Sequence, residues 1–168
     1  DDTTTTDDRQ ILIPELRFQL PRSVVEKRLM PYITHVFTSK EDLIQAVDEY
    51  TENPSTFCYR IGLWDVSRIT DFSEVFDACR NPRLERFNED LSGWDVSNAT
   101  NFSCMYRFCS VFNGDVSSWD LSNATNLNGM FGGCLSFNGD VSTWNVSSTA
   151  TDLGCMFFRC RSFNGDVS

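Results

Sequence analysis

Apolar residues in the second half of the chain recur at one long period and follow neither the helical nor the strand period. Trp-Asp-Val-Ser stands at Trp64 and Trp94, Trp-Asp-Leu-Ser at Trp119 and Trp-Asn-Val-Ser at Trp144, in steps of 30, 25 and 25 residues. Phe-Asn returns at Phe87, Phe112, Phe137 and Phe163, in steps of 25, 25 and 26. Cys79, Cys109, Cys134 and Cys160 keep the same phase, as do Phe76, Phe108, Met130-Phe131 and Phe157. A unit this short cannot enclose a core alone, so the pattern implies coils that stack and bury the same positions against one another. Within each coil, short Val/Ser/Trp runs such as Val116 to Trp119 suit a strand. The Asn-Gly-Asp before each run signals a turn. Phe102, Met105 and Phe108 recur at about three, the spacing of a helical arc.

These elements predict an α/β solenoid, leucine-rich-repeat-like, with short parallel strands, short helical arcs and an N-terminal helical cap. Its parts divide as 1-36, an N-terminal extension with a disordered start and then an extended strand-like segment; 37-60, a helical cap; and 61-168, a solenoid of about four 25-residue repeats. In the cap, Ser39-Lys40-Glu41-Asp42 reads as a helix start with Ser39 as N-cap. Leu43, Ala46, Val47 and Tyr50 then form an apolar stripe, and Asn53-Pro54 ends it. In the extension, Ile11 to Leu20 is rich in apolar residues without the repeat motif. It reads as a strand along the solenoid's side or as one donated to a neighbour's sheet edge. The last repeat breaks off at Ser168 with no polar cap. Further repeats in the native protein, or a covering chain, are the expected remedies.

The repeated Trp-Asp-Val-Ser-Asn-x-Thr and Met-Phe-x-x-Cys-x-x-Phe-Asn-Gly-Asp motifs resemble those of the BspA-like leucine-rich-repeat surface proteins, over about residues 37–168. That resemblance implies a secreted or surface-exposed protein linked to adhesion and to protein or matrix binding. It carries no catalytic residues with it.

Charge and composition narrow the function. The formal net charge of −10 sets a phosphate backbone against the surface, so no nucleic acid is expected as partner. No apolar run reaches the roughly 18 residues of a membrane span. A single histidine, His35, leaves no Ser-His-Asp or Cys-His arrangement, so no enzyme is expected. Four suitably spaced ligands for structural zinc are absent. Seven cysteines without a Cys-x-x-Cys pair point to an oxidising, extracellular or cell-surface setting. Phase then suggests disulfides Cys104–Cys109 and Cys155–Cys160, with Cys58–Cys79 a weaker pairing. The sequons Asn98, Asn101, Asn123 and Asn145 are candidate glycan sites.

The aspartate columns (Asp90, Asp115, Asp140, Asp166 and Asp65, Asp95, Asp120) would repel unless their carboxylates bond turn amides or bind a cation. Calcium could sit between coils, but the glycine-rich calcium-binding nonapeptide is absent and amide capping is preferred. No other cofactor is implied. Surface binding should use what breaks the repeat. The largest break lies between Cys79 and Phe87, where five extra residues bring in Arg80, Arg83 and Arg86. Two readings follow. One is an extracellular, non-catalytic module binding a protein, matrix or glycan partner through that insertion. The other is a structural subunit of an extracellular filament or homo-oligomer, joined through the last coil or the N-terminal extension.

Overall fold

In the computed structural model, the structure describes residues 36–57, 60–146, 150 and 152–165. The expectations for residues 1–35, including Ile11–Leu20 and His35, and for Cys58 and Asp166 lie outside the described residues. Among the described residues the first element is an α-helix, α1 (Lys40–Glu52). Ser39 caps it, its hydroxyl accepting from the Asp42 amide at 3.1 Å. Leu43, Val47 and Tyr50 are buried on its inner face. Short 3₁₀ turns follow at Pro54–Thr56, Ile61–Leu63 and Pro82–Arg86.

The expected α/β leucine-rich-repeat-like solenoid is not what the chain builds. The described residues contain one α-helix and no sheet. Parallel pairing is confined to isolated bridges, Val36–Asp65, Asp71–Asn101, Asn101–Asn126 and Asn126–Asp152. The runs read as strands fold into turns because their polar residues capture the local backbone. Asp115 Oδ1 accepts from the Ser117 amide at 2.9 Å and from its hydroxyl at 2.7 Å. The Trp119 amide then closes onto the Val116 carbonyl at 3.2 Å. Side-chain bonds of this kind compete directly with a strand ladder.

The expected helical arcs are absent for a different reason. From Phe102 to Cys109 the backbone amides alternate in their partners. Phe102, Cys104, Tyr106 and Phe108 donate to Asn126, Asn128, Met130 and Gly132 of the next coil. Met105, Arg107 and Cys109 donate three residues back within their own coil. The alternation requires left-handed backbone at Cys104 (φ 55°) and Phe108 (φ 61°). The next coil places Gly129 (φ 62°) and Gly133 (φ 83°) there, and the one after it Cys155 (φ 55°) and Arg159 (φ 61°). A helix admits no such residue.

Stacking in register builds the core. Phe76, Tyr106, Phe131 and Phe157 form one ring column with centroids 5.1, 5.6 and 5.8 Å apart and planes within 3°. Phe87, Phe112, Phe137 and Phe163 form a second at 6.0–6.3 Å. Rings of the two columns meet at 4.0 Å in three successive coils. Phe108, expected in the first column, is 41% exposed; Tyr106 takes its place. The indole N–H groups of Trp94, Trp119 and Trp144 each reach back to the preceding coil, to the carbonyls of Ile61, Leu91 and Val116. At the first coil, Phe37, Tyr50 and Phe57 pack around Trp64.

Tyr106 carries a hydroxyl where the other three coils have Phe, and that hydroxyl is buried with no hydrogen-bond partner among the described residues. Burial of an unpaired polar group costs about 1–3 kcal/mol. Tyr106→Phe should therefore raise unfolding stability by about 1 kcal/mol in a chemical melt, whereas Phe131→Ala should lower it by about 3–5 kcal/mol.

Candidate functional site

The columns of polar residues are occupied in holding the coils together. Asn113, Asn138 and Asn164 donate their backbone amides, each at 2.8 Å, to the side-chain oxygens of Asn88, Asn113 and Asn138 in the coil before. Asp65, Asp95, Asp115 and Asp140 each accept from the amide and hydroxyl of the serine two residues on. Asp90 and Asp120 accept from the serine amide. Among the described residues, no group of three or more His, Cys, Asp or Glu converges as metal ligands would.

The serine hydroxyl, and then the serine amide, holds the carboxyls of Asp95, Asp115 and Asp140 below their ordinary value. For Asp90 and Asp120 the amide leads. Repulsion from Asp90 and Asp140 pushes Asp115 the other way, but it is the smaller influence.

The sequon asparagines sit in this framework. Asn98 and Asn123 are exposed, yet their side-chain amides donate to the carbonyls of Ser67 (2.9 Å) and Ser97 (2.8 Å) one coil back. A glycan at either would have to keep that bond. Asn101 is half-buried and caps the Ser103 amide. Asn145 is exposed.

The described cysteines, Cys79, Cys104, Cys109, Cys134, Cys155 and Cys160, are free thiols in this structure. Neither Cys104–Cys109 nor Cys155–Cys160 is bridged. The thiols of Cys109, Cys134 and Cys160 donate instead to the carbonyls of Phe76, Tyr106 and Phe131. The phase shared by Cys104, Gly129 and Cys155 is one of left-handed backbone. Glycine suits that position because of its conformational freedom.

The arginine insertion is a strut rather than a protruding loop. Leu84 plugs into the core. Arg80 pairs with Asp48 of α1 at 2.6 Å and also donates to the carbonyls of Glu74 and Val75. Asn81 donates to Asp48 as well, at 2.7 Å, and Arg83 reaches Glu52 at 3.2 Å. Both arginines thus pair with α1. Arg86 is exposed and makes no ion pair among the described residues.

A different surface is left open. A groove of about 420 Å³ crosses the coils, lined by Pro82 and Glu85, then Phe108, then Gly133 and Leu135, then Arg159 and Arg161. Phe108 and Leu135 are 41% and 39% exposed. Phe108 lies against Gly133, where an added Cβ would sit 2.4 Å from the ring. Ala78, Phe108, Gly133 and Arg159 occupy one position in successive coils, immediately before the column cysteines. The core position two residues earlier stays aromatic throughout. This variability was visible in the sequence but was hidden by assigning Phe108 to the core. Arg107, beside the groove residue Phe108, is by contrast tied down: it pairs with buried Asp77 at 2.5 Å, and that bond raises its pKa.

Residues 41–168 match the family described as "Mycoplasma protein of unknown function, DUF285". No curated protein and no solved structure matches the chain.

Two outcomes follow from this geometry. The lowered carboxyls add stability above their ordinary pKa of 3.8, and that contribution is lost as pH falls through their folded values. Asp115→Asn with Asp140→Asn keeps the turn acceptor, as Asn101 and Asn126 do, and removes the titration. The acid-unfolding midpoint, followed by circular dichroism, should move to lower pH. In native alkylation read by mass spectrometry, exposed Cys79 and Cys155 should react first. Cys160, pushed up to about 11 by burial, should lag, and buried Cys109 and Cys134, pushed higher still by burial, should react last.

Proposed function

Given that the chain belongs to the family described as Mycoplasma protein of unknown function, DUF285, we propose that it is a non-catalytic protein-binding module of an extracellular or cell-surface protein. The observation that carries this reading is the groove: exposed Phe108 and Leu135 beside Arg159 and Arg161. Aromatic side chains and arginine are the residue types that dominate interface hot spots. The backbone favours the same reading. The groove's walls belong to coils locked to one another by amide and aromatic columns, so its side chains are presented on a rigid frame. Such rigidity lowers the ordering cost of binding.

The resemblance of the repeat motifs to BspA-like surface proteins supports the extracellular setting. No helix among the described residues is long and apolar enough to cross a membrane. The arginine insertion, held by α1 through Arg80 and Arg83, is given a supporting role, and Arg86 remains available to a partner.

The test is binding of the fluorescently labelled chain to intact cell surfaces and to immobilised matrix proteins. Phe108→Asp with Leu135→Asp should abolish binding while the melting curve stays cooperative. Leu63→Asp, at an exposed apolar residue outside the groove lining, should leave it intact. Equal binding by the groove variant would place the contact elsewhere.

A further inference from the structure

The groove has chemical polarity along its length. At one end lies Glu85, whose carboxylate accepts from the Ser110 hydroxyl at 3.4 Å. In the middle lie Phe108 and Leu135. At the far end lie Arg159 and Arg161, both exposed and without a carboxylate partner among the described residues. The Arg159 guanidinium rests 5.2 Å from the centroid of the Phe158 ring. Stacking on a ring leaves the edge donors of a guanidinium free to take a carboxylate in a fork. Arg80, Arg83 and Arg107, by contrast, are all spent on carboxylates of this chain. Two open cations adjoining one exposed apolar surface therefore stand out on a molecule of net charge −10.

We propose that this groove takes an acidic, extended peptide segment of a partner protein. One apolar side chain of that segment seats against Phe108 and Leu135, and the neighbouring carboxylates pair with Arg159 and Arg161. The inference rests on the groove being the binding surface argued above, and it names the partner's chemistry. The overall negative charge does not oppose it at contact range. Charges farther off than about 8 Å are largely screened at physiological salt, so the local arginines decide the sign. The same net charge disfavours acidic chains that do not reach those arginines, which adds selectivity.

The experiment uses the full chain and a short fluorescein-labelled peptide of Leu flanked by Glu and Asp. Its counterpart has Gln and Asn at the acidic positions. Fluorescence anisotropy should show the acidic peptide binding at least about tenfold tighter than the neutral one, with the difference shrinking as salt rises. Arg159→Ala with Arg161→Ala should erase that difference, and Phe108→Ala should weaken both peptides by about tenfold. These are exposed positions, and an unchanged melting curve checks that each variant folds. Equal affinity for the two peptides, or acidic binding that survives the double arginine change, overturns the proposal while leaving a groove that binds apolar segments. Neither peptide binding, while the labelled chain still attaches to surfaces through Phe108 and Leu135, likewise overturns the acidic-peptide assignment and spares the binding-module reading. Loss of surface attachment in Leu63→Asp as readily as in the groove variant would instead sink that broader reading.

Discussion

Among the described residues, almost no backbone beyond α1 lies in a regular element, yet its buried amides and carbonyls must still be paired. Everything else follows from how that is done. Alternate amides of each arc reach the next coil, and the intervening ones close on their own coil three residues back. Side chains complete the pairing. Aspartate and asparagine cap turn amides, asparagine amides bridge coils, and indoles and thiols donate to carbonyls one coil back. The bonds that cross from coil to coil need their partners at a fixed height along the stack, so they enforce the 25-residue register together with the ring columns.

The scheme also explains which departures the fold tolerates. Five extra residues after Cys79 do not break the stack because Leu84 fills the core and Arg80 and Asn81 turn the added loop onto Asp48. Residue type varies most at the position of Ala78, Phe108, Gly133 and Arg159, where the side chains of Phe108 and Arg159 stand exposed. The frame is repetitive, and the groove across it differs from coil to coil, which supports the binding role proposed for it. The left-handed residues Cys104, Phe108, Cys155 and Arg159 carry a backbone cost of about 1–2 kcal/mol each, which the inter-coil bonds on either side hold in place.

The sequence by itself determined the repeat, its period, the Trp and Phe columns, the capping aspartates and the helix beginning after Ser39. All of these follow from residue type at a fixed spacing, and residue type at a fixed spacing is what a sequence displays. The tertiary structure alone decided the secondary structure of the coils. Val116 to Trp119 has the composition of a strand, and Phe102 to Phe108 has an apolar spacing near that of a helix. The strand gives way to turn bonds that Asp115 and Ser117 make within their own coil, and the helix gives way to amide bonds that exist only when the next coil is in place. The same holds for the arginines. Arg80 and Arg83 looked free because their partners, Asp48 and Glu52, lie more than thirty residues away. Arg159 and Arg161 drew no notice in the sequence, because only stacking brings them beside Phe108 and Leu135.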